Sequence, residues 1–307
     1  MTSGRSGILV VDKAAGVTSA DVVTAARRAL GFRRVGHAGT LDPDAVGVLP
    51  MLIGEATKLM PYLVDQDKEY RVTVRFGMTT DTHDLGGRVL STTSVSGFDQ
   101  ASVEHAATAF IGCIRQVPPM YSALHHGGKR LYELARAGIE VEREARKIVV
   151  RSIVVEEVAG SSATLRIVCG KGTYVRVLVA DLGAALGVGA VVERLRRTRV
   201  GPFHRESAMP SEDLAAAGET LWTKVLPAFS ALAGWPTLRL TPEAATSFLH
   251  GQSVAFECGA ETRPGALVGV HDRTVFLGVG EVTAGGERVR PVRILHVDRP
   301  GPRVLPA

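Results

Sequence analysis

The chain has 307 residues, of which 45% are hydrophobic and 22% are charged. This composition is typical of a globular protein and excludes wholesale disorder. No apolar run approaches the roughly 20 residues that cross a bilayer, and the first residues lack the apolar core of a secretion signal. Cys113, Cys169 and Cys258 are scattered and form no CxxC pair, which argues against a disulfide framework. We therefore expect a reduced, cytoplasmic protein without a membrane segment.

Lysine and arginine outnumber aspartate and glutamate by 36 to 31, which gives a formal net charge of +5 at pH 7. Arginine is the commoner basic residue, and its planar guanidinium suits two-pronged contact with phosphate. This mild excess permits a polyanionic partner such as RNA but does not require one, since GC-rich coding gives the same bias.

Apolar periodicity predicts alternating strands and helices through most of the chain. In chain order these are a strand over 8–11, a helix that begins at Thr18 or Ser19 and stops at Gly31, a strand over 69–77, a helix over 99–111, a short basic helix over 129–137, a hairpin over 148–158 and 163–169, and a helix that follows residues 170–173. On the strand over 69–77, the side chains of Tyr70, Val72, Val74 and Phe76 share one face.

A change in pattern divides the chain into two unequal units. Gly234, Trp235 and Pro236 indicate a boundary, and the segment beyond it has one helix pattern over 242–250 and several short strands. We predict a larger unit over 1–234 and a smaller, β-rich unit over 235–307.

The segment 36–49 is the most unusual part of the sequence. It places His37, Thr40, Asp42 and Asp44 among three glycines, which let a backbone approach a ligand closely. Pro43 restricts Asp42 to an extended conformation and stiffens the loop. Such a loop can hold a carboxylate as a nucleophile or base, although ordinary turns use the same residue types.

Several common motifs are missing from the sequence. It contains no phosphate-binding P-loop, no complete dinucleotide-binding glycine pattern, no HExxH and no GxSxG. The nine histidines do not cluster with cysteines. We therefore predict neither a metal nor an organic cofactor.

Six motifs in chain order resemble those of the TruB family of tRNA pseudouridine synthases. They are residues 7–13 with 16–19, residues 36–49 (GHAGTLDPDAVGVL), residues 68–70 (KEY), residues 76–77 with 80–82, residues 116–124 with 128–138, and residues 171–176 (KGTYVR). Together they cover roughly residues 7–200. From Leu238 onward a shorter pattern is similar to a PUA-type RNA-binding module.

The resemblance implies an α+β pseudouridine-synthase fold. It would have a mixed, mostly antiparallel central sheet with flanking helices, an RNA-clamping insertion at about 116–147, and a small β-rich PUA-like C-terminal domain. The implied activity is isomerisation of uridine-55 in the T-arm loop of tRNA to pseudouridine, after the base is flipped out of the stack. The implied partner is the tRNA T-arm alone, bound by a monomer that needs no obligate protein partner.

The resemblance also implies roles for individual residues. Asp42 would be the catalytic aspartate, attacking either the sugar C1′ or the uracil ring. A partly desolvated carboxylate needs a cation beside it, and Arg176 would supply one through a two-pronged contact. Tyr70 would stack on the target uracil, and His37, Tyr174 and Leu195 would line the substrate pocket.

Basic residues in two regions are candidates for contact with the RNA backbone. They are Lys13, Lys129, Arg130, Arg146, Arg196 and Arg197. Contacts of this kind would make binding weaken steeply as the salt concentration rises.

Two other functions remain open from the sequence. The first is a non-catalytic tRNA-binding or folding chaperone, which would keep the basic surface and lose the reaction. The second is an aspartate-dependent glycosidase on free nucleosides, which predicts a pocket without extended RNA contacts.

Overall fold

The computed structural model describes residues 5–95, 98–256, 263–273 and 275–296, so Cys258 and the end of the predicted C-terminal unit lie outside the described residues. The strands before residue 236 are β1 (Gly7–Lys13), β2 (Val35–His37), β3 (Val46–Ile53), β4 (Lys68–Phe76), β5 (Met78–Thr80), β6 (Val89–Thr92), β7 (Gly112–Gln116), β8 (His125–His126), β9 (Lys129–Arg130), β10 (Arg146–Ala159), β11 (Ser162–Cys169), β12 (Ala190–Val200), β13 (Phe203–His204) and β14 (Met209–Pro210). The strands after it are β15 (Thr237–Arg239), β16 (Val254–Ala255), β17 (Leu267–His271), β18 (Phe276–Val282) and β19 (Arg288–Ile294).

The helices lie between these strands. They are α1 (Ser19–Leu30), α2 (Met60–Asp65), α3 (Gln100–Thr108), α4 (Leu131–Arg136), α5 (Val175–Ala185), α6 (Leu214–Ala217) and α7 (Pro242–Leu249). Short 3-10 helices cover Gly54–Leu59, Arg205–Ser207, Ser211–Asp213, Gly218–Lys224 and Ala228–Leu232. No helix among the described residues is both long and apolar enough to cross a membrane.

The central sheet has the strand order β14-β1-β3-β12-β4-β11-β10-β7, with β2 paired to β3 and β13 paired to β12. The β1–β14 and β3–β12 pairs are parallel, and the other neighbours are antiparallel. The predicted α+β fold with a mixed, mostly antiparallel sheet is confirmed.

The helix α1 shows how local sequence fixes an element. The Thr18 hydroxyl accepts a hydrogen bond from the Asp21 backbone N–H, and Asp21 bonds back to the backbone N–H of Thr18. This capping box starts the helix, and Gly31 ends it in the left-handed conformation that glycine adopts at low cost. Its buried side chains pack on β1 and β3.

The strand β4 shows the predicted alternation. Tyr70, Val72, Val74 and Phe76 are buried in one cluster with side chains of α3 and α5. Arg71, between two of them, is exposed on the opposite face. The sheet therefore has a covered face, where Tyr70 lies, and an open face.

The strand β12 is not indicated by the sequence pattern, where its arginines read as a basic cluster. It lies between β3 and β4, near the middle of the sheet. Charged residues obscure the alternation, and its register against β4 shifts at two irregularities. These shifts disturb the period of two on which strand prediction depends.

The second sheet has the order β15-β17-β18-β19-β16 and packs on α7. All of its strands lie after residue 236. Val279 and Leu295 join a buried cluster that also contains Ile8 and Val10 of β1. The smaller unit thus shares core packing with the central sheet.

Candidate active site

The loop that carries Asp42 connects β2 to β3 and is fixed on both sides of that residue. The Leu41 backbone N–H donates to the Ser19 hydroxyl oxygen at 2.9 Å, and the Ser19 hydroxyl lies 3.1 Å from the Leu41 carbonyl oxygen. The Pro43 carbonyl accepts from the Lys13 ammonium at 2.8 Å and from the Gly16 backbone N–H at 3.0 Å. The Asp42 side chain therefore projects from an immobilised backbone, and it is 44% exposed.

Arg176 is in the first turn of α5, and its guanidinium lies against Asp42. Its side chain is only 6% exposed, and its Nε donates to Asp42 Oδ2 at 2.9 Å. Its Nη1 donates to the Thr82 carbonyl at 2.6 Å, and its Nη2 donates to the Tyr121 carbonyl at 2.9 Å. The predicted two-pronged contact with Asp42 is wrong, because the two terminal nitrogens are held by backbone carbonyls.

A second carboxylate, Asp84, also faces Arg176. Its Oδ2 lies 3.6 Å from Arg176 Nη1, and its Oδ1 accepts from the Thr82 hydroxyl at 2.6 Å. Asp84 lies in a turn that is joined to β12 by two backbone hydrogen bonds, from Leu85 N–H to the Val192 carbonyl and from Val192 N–H to the His83 carbonyl. His83 within it has a φ of +62°, unusual for a non-glycine residue. The sequence reasoning missed Asp84, and only the neighbouring Thr80-Asp81-Thr82 motif points to this turn.

Tyr70 lies in the covered face of the sheet, in the same buried cluster as Leu41 of the Asp42 loop. Burial raises the pKa of the Tyr70 phenol, the Arg197 guanidinium beside it opposes that shift, and the Asp42 charge adds to it. Leu195 packs partly buried against this cluster. The structure therefore brings Tyr70, Leu195 and the Asp42 loop together.

His37 and Tyr174 lie at the edges of the site. The Nδ1 atom of His37 is buried and has no hydrogen-bond partner within the described ranges, and burial lowers the pKa of this imidazole. Tyr174 precedes α5, and the buried Gln116 amide bonds both its backbone N–H and its carbonyl. Burial raises the pKa of the Tyr174 phenol, and the Asp42 charge contributes in the same direction.

The predicted RNA-backbone residues occupy different environments. Lys129, Arg130 and Arg146 are exposed. The Arg196 side chain is 34% exposed and pairs with Asp12 at 3.0 Å.

Lys13 and Arg197 are buried, with exposures of 0% and 1%. Lys13 donates to the carbonyls of Ala14, Val17 and Pro43, and Arg197 donates to those of Gly39 and Val48. Their predicted contact with the RNA backbone is wrong, because the fold occupies these side chains and covers them.

Comparison with known proteins gives three successive family matches. Residues 27–175 match TruB family pseudouridylate synthase (N terminal domain), residues 176–232 match tRNA pseudouridylate synthase B C-terminal domain, and residues 236–295 match Pseudouridine synthase II TruB, C-terminal.

Similar proteins extend along almost the whole chain. The tRNA pseudouridine synthase B of Chromobacterium violaceum is 44% identical over 94% of each chain. The enzyme of the same name from Pseudomonas aeruginosa is 44% identical over 95% of this chain and 96% of its own. A solved structure, a Cbf5-Nop10-Gar1 complex, matches with a TM-score of 0.73 and 26% identity over 96% of this chain and 84% of that one. The chain therefore belongs to the TruB family of pseudouridylate synthases.

Proposed function

We propose that this enzyme converts uridine-55 in the T-arm loop of tRNA to pseudouridine, with Asp42 as the essential carboxylate. Its relatives at 42–44% identity carry the name tRNA pseudouridine synthase B. The observation that carries the proposal is the 2.9 Å ion pair between Asp42 and Arg176. The carboxylate is nearly half exposed and can reach a substrate, whereas its counter-cation is buried and cannot move away.

The reaction replaces the carbon–nitrogen bond between sugar and base by a carbon–carbon bond between the same sugar and the same base. The bond between uracil N1 and sugar C1′ breaks, the base turns, and a bond forms between uracil C5 and C1′. The C5 proton is lost and N1 gains a proton, so the exchange is redox-neutral. Attack by Asp42 on C1′ and attack on the uracil ring both require its carboxylate at the junction of base and sugar.

The surroundings of Asp42 suit a flipped uracil. Tyr70 offers an aromatic ring next to the loop, and Leu195 extends this apolar surface. Stacking of this kind offsets the few kcal/mol that unstacking a base costs. His37 is half-buried beside the loop, and its imidazole would make a polar contact with the RNA. Tyr174 would close the pocket from the start of α5.

The remaining contacts would be made to the RNA backbone. Lys129 and Arg130 lie on the exposed β8–β9 hairpin inside the proposed clamping insertion at about 116–147, and Arg146 lies near the end of that insertion. We propose that Arg196, which is partly exposed beside Asp12, also contacts phosphate. The unit over 235–307 would act as an RNA-binding module, and a single chain would suffice for the reaction.

The test uses a tRNA transcript that carries tritium at C5 of uridine, because pseudouridine formation releases this label to water. We expect release by the wild-type enzyme and none by Asp42→Asn, with tRNA affinity retained. A transcript with cytidine at position 55 should release no label. Asp44→Asn is the matched control, because Asp44 is an exposed carboxylate of the same loop.

The other results separate the alternatives. Release from Asp42→Asn at the wild-type rate would remove Asp42 from the chemistry. Tight tRNA binding without release from any variant would favour the chaperone. Activity on free uridine without activity on tRNA would favour the nucleoside glycosidase.

A further inference from the structure

Arg197 is a buried cation that lies between the Asp42 loop and Tyr70. In the register of the sheet it lies opposite Tyr70 of β4 and opposite Gly47 of β3. It therefore stands between the strand that carries Tyr70 and the strand into which the Asp42 loop runs. Its side chain turns to the covered face and is 1% exposed.

The Arg197 guanidinium joins the two ends of the Asp42 loop. Its Nη2 donates to the Gly39 carbonyl at 3.0 Å, and its Nε donates to the Val48 carbonyl at 2.7 Å. These carbonyls lie three residues before Asp42 and six residues after it. One planar group thus fixes the distance between both ends of the loop.

The burial of this charge needs a reason. A buried cation destabilises the fold unless it is paired and hydrogen-bonded. Within the part of the chain that the structure describes, no carboxylate forms an ion pair with Arg197. The partners of the guanidinium are the neutral carbonyls of Gly39 and Val48 and the hydroxyl of Tyr70, which hydrogen-bond the charge without neutralising it.

The glycines of the loop allow its close approach to Arg197. Gly47 has a φ of +111°, and a Cβ there would lie 2.1 Å from the Arg197 carbonyl oxygen. Gly39 has a φ of +104°, and a Cβ there would lie 3.4 Å from Arg197 Nη1. Gly47 therefore lets β3 pack against the backbone of Arg197, and the backbone at Gly39 lies in van der Waals range of its guanidinium.

Arg197 also acts on Tyr70. The register of the sheet places Arg197 opposite Tyr70, and its guanidinium opposes the effect of burial on the pKa of the Tyr70 phenol. It is thus the shared support of the loop that carries the nucleophile and of the aromatic ring next to it.

We propose that Arg197 is a positioning residue, which sets the Asp42 carboxylate relative to the Tyr70 ring by clamping both ends of the Asp42 loop. The inference rests on the proposed role of Asp42. Lysine at this position would keep the charge but has no planar fork to reach both carbonyls. A misplacement of about 1 Å can cost about 100-fold in rate.

The experiment measures single-turnover tritium release from 5-tritiated tRNA at saturating enzyme, together with tRNA affinity. For Arg197→Lys we expect the rate constant to fall by about 10- to 100-fold, with affinity within about twofold of wild type. For Arg197→Gln the rate constant should fall at least as far, because both donor hydrogens of the uncharged amide are on a single nitrogen, whereas arginine reaches the two carbonyls from two different nitrogens. The matched control is Arg166→Lys, because Arg166 is an exposed arginine on the open face of the neighbouring strand β11.

The rate constant separates positioning from simple loss of fold. If Arg197 only stabilised the fold, the amplitude of release would fall with the folded fraction, and the rate constant of the remaining enzyme would not change. That result, or a rate constant within about twofold of wild type, would overturn the inference. Partial unfolding leaves the test intact, since the rate constant reports only folded enzyme.

An Asp42→Asn sample in the same series keeps the two proposals apart. If Asp42→Asn reacts like wild type, the proposed function of Asp42 fails, whatever the Arg197 variants do. If Asp42→Asn is inert and Arg197→Lys reacts like wild type, only the positioning role fails.

Discussion

Arg176 and Asp42 are 134 positions apart in the chain, yet Arg176 Nε lies 2.9 Å from Asp42 Oδ2. The arginine gives one nitrogen to the carboxylate and the other two to carbonyls of separate segments. The three contacts fix the guanidinium, and within the described residues no hydrogen bond is made to the second carboxylate oxygen of Asp42.

Replacing Arg176 by lysine should slow the reaction without weakening tRNA binding. The ammonium of lysine cannot reproduce three divergent contacts from a fixed plane, so the charge beside Asp42 would lose its orientation. We expect the single-turnover rate constant to fall by at least about 100-fold. A rate constant within about fivefold of wild type would show that orientation of this cation matters little.

The salt dependence of tRNA binding should show whether the exposed side chain of Lys129 contacts a phosphate group of the tRNA. In a plot of the logarithm of the binding constant against that of the salt concentration, Lys129→Gln should lower the slope by about one unit. Lys129 is suited to this test because it is exposed on the β8–β9 hairpin. Arg166→Gln, on the open face of the sheet, should leave the slope unchanged. Equal slopes for Lys129→Gln and wild type would remove this residue from the interface.

Gly47→Ala should destabilise the protein more than alanine at an unobstructed glycine. A methyl group at Gly47 would collide with the Arg197 backbone, whereas Gly160, with a φ of +58°, has nothing within 4 Å of such a group. We expect Gly160→Ala to lower the free energy of unfolding by about 1 kcal/mol, from the left-handed backbone alone. Gly47→Ala should lower it by more than about 3 kcal/mol, because steric strain is added. Urea denaturation measures both, and equal losses would contradict the clash.

Stability should rise between pH 7 and pH 9. Burial lowers the pKa of Lys13 and of Lys68 in the folded protein from 10.5 to about 8. Between these values the unfolded chain binds more protons than the folded one, so the free energy of unfolding increases with pH. From about pH 9 the Cys169 thiol opposes this gain, because burial raises its pKa from 9.0 to about 11 and the folded protein then keeps a proton that the unfolded chain has lost.

The urea midpoint at the two pH values checks this sign. Lys68→Met should show a smaller rise than wild type, since one of the two titrating groups is gone. A midpoint that falls from pH 7 to pH 9 would contradict the lowered lysine pKa values.

Local sequence alone determined much of the fold. The capping box at Thr18 and the glycine at position 31 set the two ends of α1, and the alternation along β4 identified which of its side chains are buried. These features depend on neighbours within a few residues, so a single sequence contains them. The loop around Asp42 stands out for the same reason, because its glycines and Pro43 restrict the backbone locally.

Only the tertiary structure decided what the charged residues do. Arg196 and Arg197 are adjacent and chemically identical, yet one pairs with Asp12 at the surface and the other is buried beneath the Asp42 loop. Lys13 likewise holds the Pro43 carbonyl rather than RNA, and Asp84 joins Arg176 from a distant turn. The charge of a side chain is set by its own chemistry, but its burial and partners are set by strand pairing across the sheet. That pairing brings together segments more than 100 residues apart, and no local pattern records it.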